Sequence, residues 1–407
     1  MRNMTRMQEC VWLANNLSHY HRARADAFAK VWPARFTVLE LSNRDSLPIL
    51  AGRASGVSHV HTLFPGQAIG TISQAALRRA LITYLETARP SVCCLNGWAL
   101  PGTAAMLDWA VAHGVPCVLM SESNQHDHSR NWLKEQLKAR FVAQCSAGLA
   151  GGTESRRYLV ELGMAPESIF DGYDVVDNEH FRAGAEAARR DRLRCRAQLA
   201  VPEEYFFACA RFEPKKNFHR LIEAFALYAS AAGPSAWKLV IAGDGPSRPE
   251  LEALARSLHV EDGVIFAGLK TYQELPVIYG LAKAFIHAST TEQWGLVVNE
   301  AMAAGLAVLV SKRCGCAPDL VKDGVNGFTF DPRDAGEIAE KMLTVHRDAS
   351  LPERMGRRSA EMIAEWGPER FGRGLMHAAE FALNRGPAKE TLLSRAVVRL
   401  MAATSNS

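Results

Sequence analysis

At 407 residues the chain is too long for one ordinary hydrophobic core, so two domains are expected. Hydrophobic residues make up 48% and charged residues 22%, a globular balance that excludes a disordered or fibrous chain. The 47 basic and 43 acidic side chains leave only +4, which gives no reason to expect a nucleic-acid partner.

No apolar run reaches the roughly 18 to 20 residues that cross a bilayer. The stretch around Arg2, Arg6 and Glu9 lacks a signal-peptide core and cleavage site. Nine cysteines occur, an odd number, and Cys93, Cys94, Cys117 and Cys209 sit inside apolar runs. They read as reduced, buried thiols of a cytoplasmic protein. Cys314 and Cys316 are close enough for redox or metal work, but no second Cys or His pair stands at zinc spacing.

The N-terminal half alternates short apolar runs with longer helical patterns, the mark of βα units and a parallel sheet. Strands are expected at 10–14, 36–41, 60–64, 92–96 and 116–121. Helices are expected at 19–32, 73–89 and 101–113, the first capped from Asn15, Asn16 and Ser18. The loop 122–132 crowds Glu122, His126, Asp127, His128 and Arg130 at the carboxyl end of a parallel strand, where open α/β sheets place ligands. A helix starts near Asn131. A helix at 154–162 and a strand at 169–176 close this half, and 183–199, rich in Arg and Ala, reads as a solvated linking helix.

The alternation then restarts. Strands are expected at 206–210, 238–242, 264–266, 284–287, 307–310 and 327–330, with helices at 218–231 and 249–258. A last helix runs from 369 to about 384, followed by a tail carrying Lys389, Arg395 and Arg399. Two doubly wound domains in series result.

The chemistry concentrates in the second half. After the strand at 284–287, Glu292 and Glu300 bracket Gly295, where a helix begins and its free amides suit an anion. The two carboxylates read either as hydroxyl acceptors beside that anion or as solvent-facing groups of a capped helix. Arg211, Lys215 and Lys216 occupy a strand-to-helix loop fit to grip a diphosphate. Gly243-Asp244-Gly245-Pro246 is a tight turn, and Gly268 ends a strand before Leu269 and Lys270. The dinucleotide fingerprint, the P-loop and the Gly-x-Ser-x-Gly elbow are all missing. No Asp-x-Asp set offers to hold a divalent ion on a nucleotide diphosphate.

Taken in order, Arg211-x4-Lys216, Gly243 to Pro246, Phe266-x-Gly268, Glu292-x7-Glu300 and the Glu300-Ala-Met-Ala-x-Gly305 run resemble the retaining glycosyltransferases of family 4. The resemblance is specific over 206–332 and looser over the first 180 residues. It implies the GT-B fold: two Rossmann-like doubly wound domains facing across a cleft. The boundaries expected are 1–180 on the acceptor side, 181–370 for the nucleotide-sugar, and 371–407 for a return helix and basic tail. By resemblance, Arg211 and Lys216 bind the donor diphosphate, and Glu300 takes the ribose hydroxyls. Glu292 with the backbone of Gly295 and Leu296 holds sugar and phosphate, and Leu269 and Lys270 lie near the base. His126 matches a histidine that reaches the transferred sugar. Two departures stand out: Asn15 to His21 replaces a glycine-rich loop, and Asn217 replaces the glycine after the donor lysine.

The implied activity is metal-independent transfer of a hexose, without a cofactor, from a nucleotide-diphosphate sugar to a glycan or lipid-linked acceptor in polysaccharide or glycolipid assembly. A nucleotide-sugar 2-epimerase and a non-catalytic sugar-nucleotide-binding subunit share the fold and remain alternatives. The basic tail and the helix bearing Lys134, Lys138 and Arg140 are compatible with peripheral contact to anionic lipid at the inner face of the plasma membrane.

Overall fold

The computed structural model describes residues 9–44, 59–127 and 130–388, with Val397, Arg399 and Met401 of the tail. Most of that tail, including Lys389 and Arg395, lies outside the described residues, as do Arg2, Arg6 and His128. The chain divides into two compact units, Met1–Val175 with Pro368–Ser407, and Val176–Gly367.

In the first unit seven strands form one parallel sheet. They are β1 (Cys10–Ala14), β2 (Phe36–Ser42), β3 (Val60–Phe64), β4 (Val92–Asn96), β5 (Cys117–Ser121), β6 (Ala147–Ala150) and β7 (Ile169–Asp171). Their order across the sheet is β3-β2-β1-β4-β5-β6-β7. The second unit repeats the plan with β8 (Tyr205–Cys209), β9 (Lys238–Ala242), β10 (Val264–Gly268), β11 (Ala284–His287), β12 (Ala307–Ser311) and β13 (Gly327–Phe330). Here the order is β10-β9-β8-β11-β12-β13. Central strands are apolar along their whole length because helices cover both faces, as a parallel sheet requires. β1, β4, β5 and β12 are buried at every residue.

Both sheets reverse their winding beside the first strand of the unit, between β1 and β4 and between β8 and β11. Loops leaving adjacent strands there diverge and open a crevice at the carboxyl edge. The loops after β8 and β11 are the two that carry Arg211, Lys216 and Glu292.

Three expectations need correction. The strand expected at 169–176 pairs only over Ile169–Asp171; the chain then turns, with the Gly172 and Tyr173 amides both donating to Ala150 O at 3.1 Å. The stretch 183–199 is not one solvated helix. It is the end of Asn178–Arg190 and all of Arg192–Leu199, and the first buries Phe181, Ala185 and Ala188. Its partner is the helix Leu275–Leu281, which shows no amphipathic period because five of its seven residues are buried. The helices Ala335–Arg347 and Leu351–Ile363 also escaped the sequence reading.

The final helix, Pro368–Arg385, belongs to the first unit and lies along the helix His19–Val31. Its buried face combines Phe371 and Leu375 with Gly372, Gly374, Ala378, Ala379 and Ala382, and the glycines let backbone approach closely. A Cβ on Gly374 would stand 2.2 Å from Asp171 O. No described helix is long and apolar enough to cross a membrane.

Gly374→Ala sets two effects against each other. Helix propensity favours alanine by about 1 kcal/mol, while forcing backbone apart in a packed contact costs about 1–3 kcal/mol. We expect net destabilisation, read as a lower urea midpoint by circular dichroism; an unchanged or higher midpoint would show that the contact yields.

Candidate active site

The loop leaving β8 is shaped from behind. Phe212 is fully buried at its centre, its amide donates to Asp244 O at 2.9 Å, and its carbonyl accepts from Ser247 N at 3.3 Å. The Gly243–Pro246 turn is therefore the backing of the Arg211 loop. A Cβ on Gly243 would lie 1.9 Å from Ala210 O, and φ of 135° there suits only glycine.

Asn217 adopts the left-handed conformation, φ 61° and ψ 31°, at the entry to the helix Phe218–Ala232. Glycine would tolerate that turn, but asparagine adds two bonds: Nδ2 donates to Ala288 O at 3.0 Å and to Pro332 O at 2.7 Å. Thr290 N donates to Lys215 O at 2.9 Å, so the loops after β8 and β11 are tied together. Lys216 is thereby fixed on Glu292.

Glu292 Oε2 accepts from Lys216 Nζ, from His287 Nε2 at 3.2 Å and from Ser289 Oγ at 3.2 Å. Glu292 is 16% exposed and Lys216 13%. Burial pushes the Glu292 carboxyl up, but the hydrogen bond and charge of His287, followed by Lys216, outweigh it and hold the group at about 2. So acidic a group is a weak base and a weak nucleophile. It is well suited to orient hydroxyls and to face positive charge.

Behind it, Gly315 N donates to Glu292 O and Cys316 N to Trp294 O, both at 3.1 Å. Cys314 and Cys316 are buried there, and burial raises both thiols. Among the described residues no group of three or more His, Cys, Asp or Glu is arranged to hold a metal ion. The helix Leu296–Ala303 begins at Gly295, φ 109°. Glu300 is completely buried and accepts from Tyr279 Oη at 2.8 Å. The alternative of solvent-facing glutamates on a capped helix is therefore overturned.

The other candidates have surroundings of their own. Arg211 is 64% exposed and pairs with Glu213 at 3.2 Å. Leu269, beyond Gly268, is 49% exposed with Lys270 beside it. His126 belongs to the first unit, in the turn after β5, where its amide donates to Asn124 Oδ1 at 2.8 Å. The glycine-poor loop after β1 satisfies its backbone otherwise: Leu17 N donates to Glu40 Oε1 at 2.9 Å. Within it, Ser18 Oγ meets His21 Nδ1 at 2.8 Å, and burial, then Arg24, lowers His21 to about 3.

The sequence reading missed the residues that seat the carboxylates. His287 and Ser289 were visible as polar residues five and three positions before Glu292. Tyr279 had no signal, because its helix was not recognised.

The depressed Glu292 carries a pH signature. Its contacts stabilise the fold fully above the unfolded carboxyl pKa, and that stability is lost as pH falls through it toward about 2. The wild-type advantage over Glu292→Gln, up to about 3 kcal/mol at neutral pH, should shrink across pH 4.5 to 2 in urea titrations. A pH-independent difference would refute the assignment.

Comparison with known proteins finds related sequences and folds. The family model for glycosyl transferases group 1 matches residues 190–362. N-acetyl-alpha-D-glucosaminyl L-malate synthase of Bacillus anthracis is 26% identical over 207 residues, which is 50% of this chain and 51% of that protein. The chain thus spans about half the length of that relative. Alpha-D-kanosaminyltransferase of Streptomyces kanamyceticus is 29% identical over 274 residues, 65% of this chain and 70% of its own. The crystal structure of Anabaena Alr3699/HepE in complex with UDP superposes with a TM-score of 0.70 at 19% identity, covering 91% of this chain and 99% of that one. Residues 190–362 are thus similar to the glycosyl transferases group 1, and the paired parallel sheets have the GT-B fold.

Proposed function

We propose that the chain is a retaining, metal-independent hexosyltransferase that uses a nucleotide-diphosphate sugar. One observation carries this reading. Lys216 and Glu292, a cation for a diphosphate and a carboxylate ionised at neutral pH for a sugar, meet at the switch point of the second sheet. The UDP complex of the HepE structure agrees with a nucleotide donor.

In this reading Arg211 leaves Glu213 and joins Lys216 on the diphosphate, while the first-turn amides at Gly295 and Leu296 complete the anion site. Leu269 and Lys270 flank the base, and Glu300, held by Tyr279, takes the ribose hydroxyls. As the anomeric C–O bond loosens, charge grows on the departing diphosphate and an oxocarbenium-like centre forms. Lys216 and Arg211 stabilise the first, and Glu292 faces the second. An acceptor hydroxyl attacks from the leaving-group side and gives its proton to a phosphate oxygen. His126 supports the transferred sugar from the first unit.

The acceptor proposed is a glycan or a lipid-linked one presented at the inner face of a membrane. Its support lies on the helix Trp132–Val142, where Trp132 is 75% and Leu133 59% exposed with exposed Lys134 beside them. Such a patch suits the headgroup boundary of anionic lipid. Lys138 takes no part, since it is engaged by Glu135 at 2.9 Å and Tyr158 at 2.8 Å. Arg399 of the tail pairs with Asp108 at 3.2 Å.

A thermal-shift screen against UDP-, GDP-, ADP- and TDP-sugars should show one family raising the melting temperature. With that donor, Lys216→Ala should lose about 10²–10³ in kcat. Near-normal transfer by the variant would defeat the reading.

A further inference from the structure

A cavity of about 830 Å³ opens in the second unit at the other edge of its sheet. Glu204, Trp237, Lys283 and Leu306 line it just before β8, β9, β11 and β12 begin, whereas Lys216 and Glu292 follow the carboxyl ends. Its volume lies in the range of small-molecule sites.

The charges of its wall do not cancel. Lys283 pairs with Glu204 at 3.0 Å and Arg357 with Glu353 at 2.6 Å, which leaves Arg189 and Arg192. Neither makes an ion pair with a carboxylate among the described residues. Arg189 instead donates to two carbonyls, Gly280 O at 3.1 Å and Ala304 O. Burial, then the neighbouring charge of Arg192, lowers its pKa against a smaller opposing pull from Glu186. Part of this charge answers the carbonyl ends of the helices Leu275–Leu281 and Leu296–Ala303. A guanidinium has five N–H groups, however, and Arg189 spends only two nitrogens on carbonyls, while Arg192 is an exposed residue of the wall.

We propose that this cavity binds a phosphorylated small molecule, its phosphate between Arg189 and Arg192 and its organic part on the apolar wall of Leu306, Pro352 and Ala360. Phosphate accepts from two guanidinium groups at once and removes their repulsion. The site also reaches the donor machinery. Ala304 caps the helix Leu296–Ala303, which carries Glu300, and Gly280 follows Tyr279, the residue bonded to Glu300. A ligand drawing on Arg189 therefore acts on the seat of Glu300. This coupling rests on the donor role proposed for Glu300; the binding itself does not.

The test is calorimetric titration of the full chain with inorganic phosphate and with glucose 6-phosphate, repeated on Lys216→Ala and on Arg192→Glu, an exposed position outside the core. Saturable binding is expected in wild type and Lys216→Ala, weakened about tenfold or more in Arg192→Glu. Absence of saturable binding at millimolar ligand, equal binding by Arg192→Glu, or loss only in Lys216→Ala would overturn the site. Arg192-dependent capture by phosphatidylglycerol vesicles without binding of either free phosphate would overturn it too, by moving the anion to lipid. If the ester binds, it should also change the Kd of the assigned donor, and the donor should change the ester's by the same factor. Binding without that reciprocity would remove the coupling and leave the site.

Discussion

The site depends on a charge pair that is complete before any ligand arrives. Lys216 and Glu292 are each largely buried, and neither charge is sustainable there alone. His287 and Ser289 add donors to the same carboxylate oxygen, so the pair is a small network rather than a single contact. Its members come from β11, the loop after it, and the loop after β8. The network therefore exists only because those two strands are neighbours in the sheet.

Everything behind the network serves to hold those two loops still. The glycine turn at Gly243 packs into the back of the Arg211 loop, and Asn217 bonds it to Ala288 and Pro332. The Cys314–Cys316 turn supports the glutamate loop from the other side through backbone bonds. That position explains two buried thiols beside a functional loop without assigning them chemistry: desolvation keeps them protonated.

Much of the fold was legible because parallel strands announce themselves. Runs such as Val92–Asn96 and Ala307–Ser311 are apolar throughout, bounded by turn residues, and their alternation with helices dictates a doubly wound sheet. Local pattern failed where burial surrounds a short helix: Leu275–Leu281 has no polar face, so nothing in its periodicity marks it. With it went Tyr279, whose bond to Glu300 spans 21 positions. The charged stretch after Ala183 misled for the opposite reason, since Ala185 and Ala188 between its arginines are buried. Arg211, Lys216, Glu292 and Glu300 were legible as residue types at set spacing. Which of them touch was not, because contact depends on strand order.

Asn217 stiffens the turn that carries Lys216, and that bears on how the site empties. A pinned loop does not swing aside like a lid. On the proposed function, an anion held by Lys216 is instead exchanged for Glu292, which lies within reach as the replacement. A resident carboxylate of this kind acts at the high effective concentration of a tethered group. On that reading it competes against tight product retention. The same contact that stabilises the empty protein thus sets a threshold for entry and assists departure.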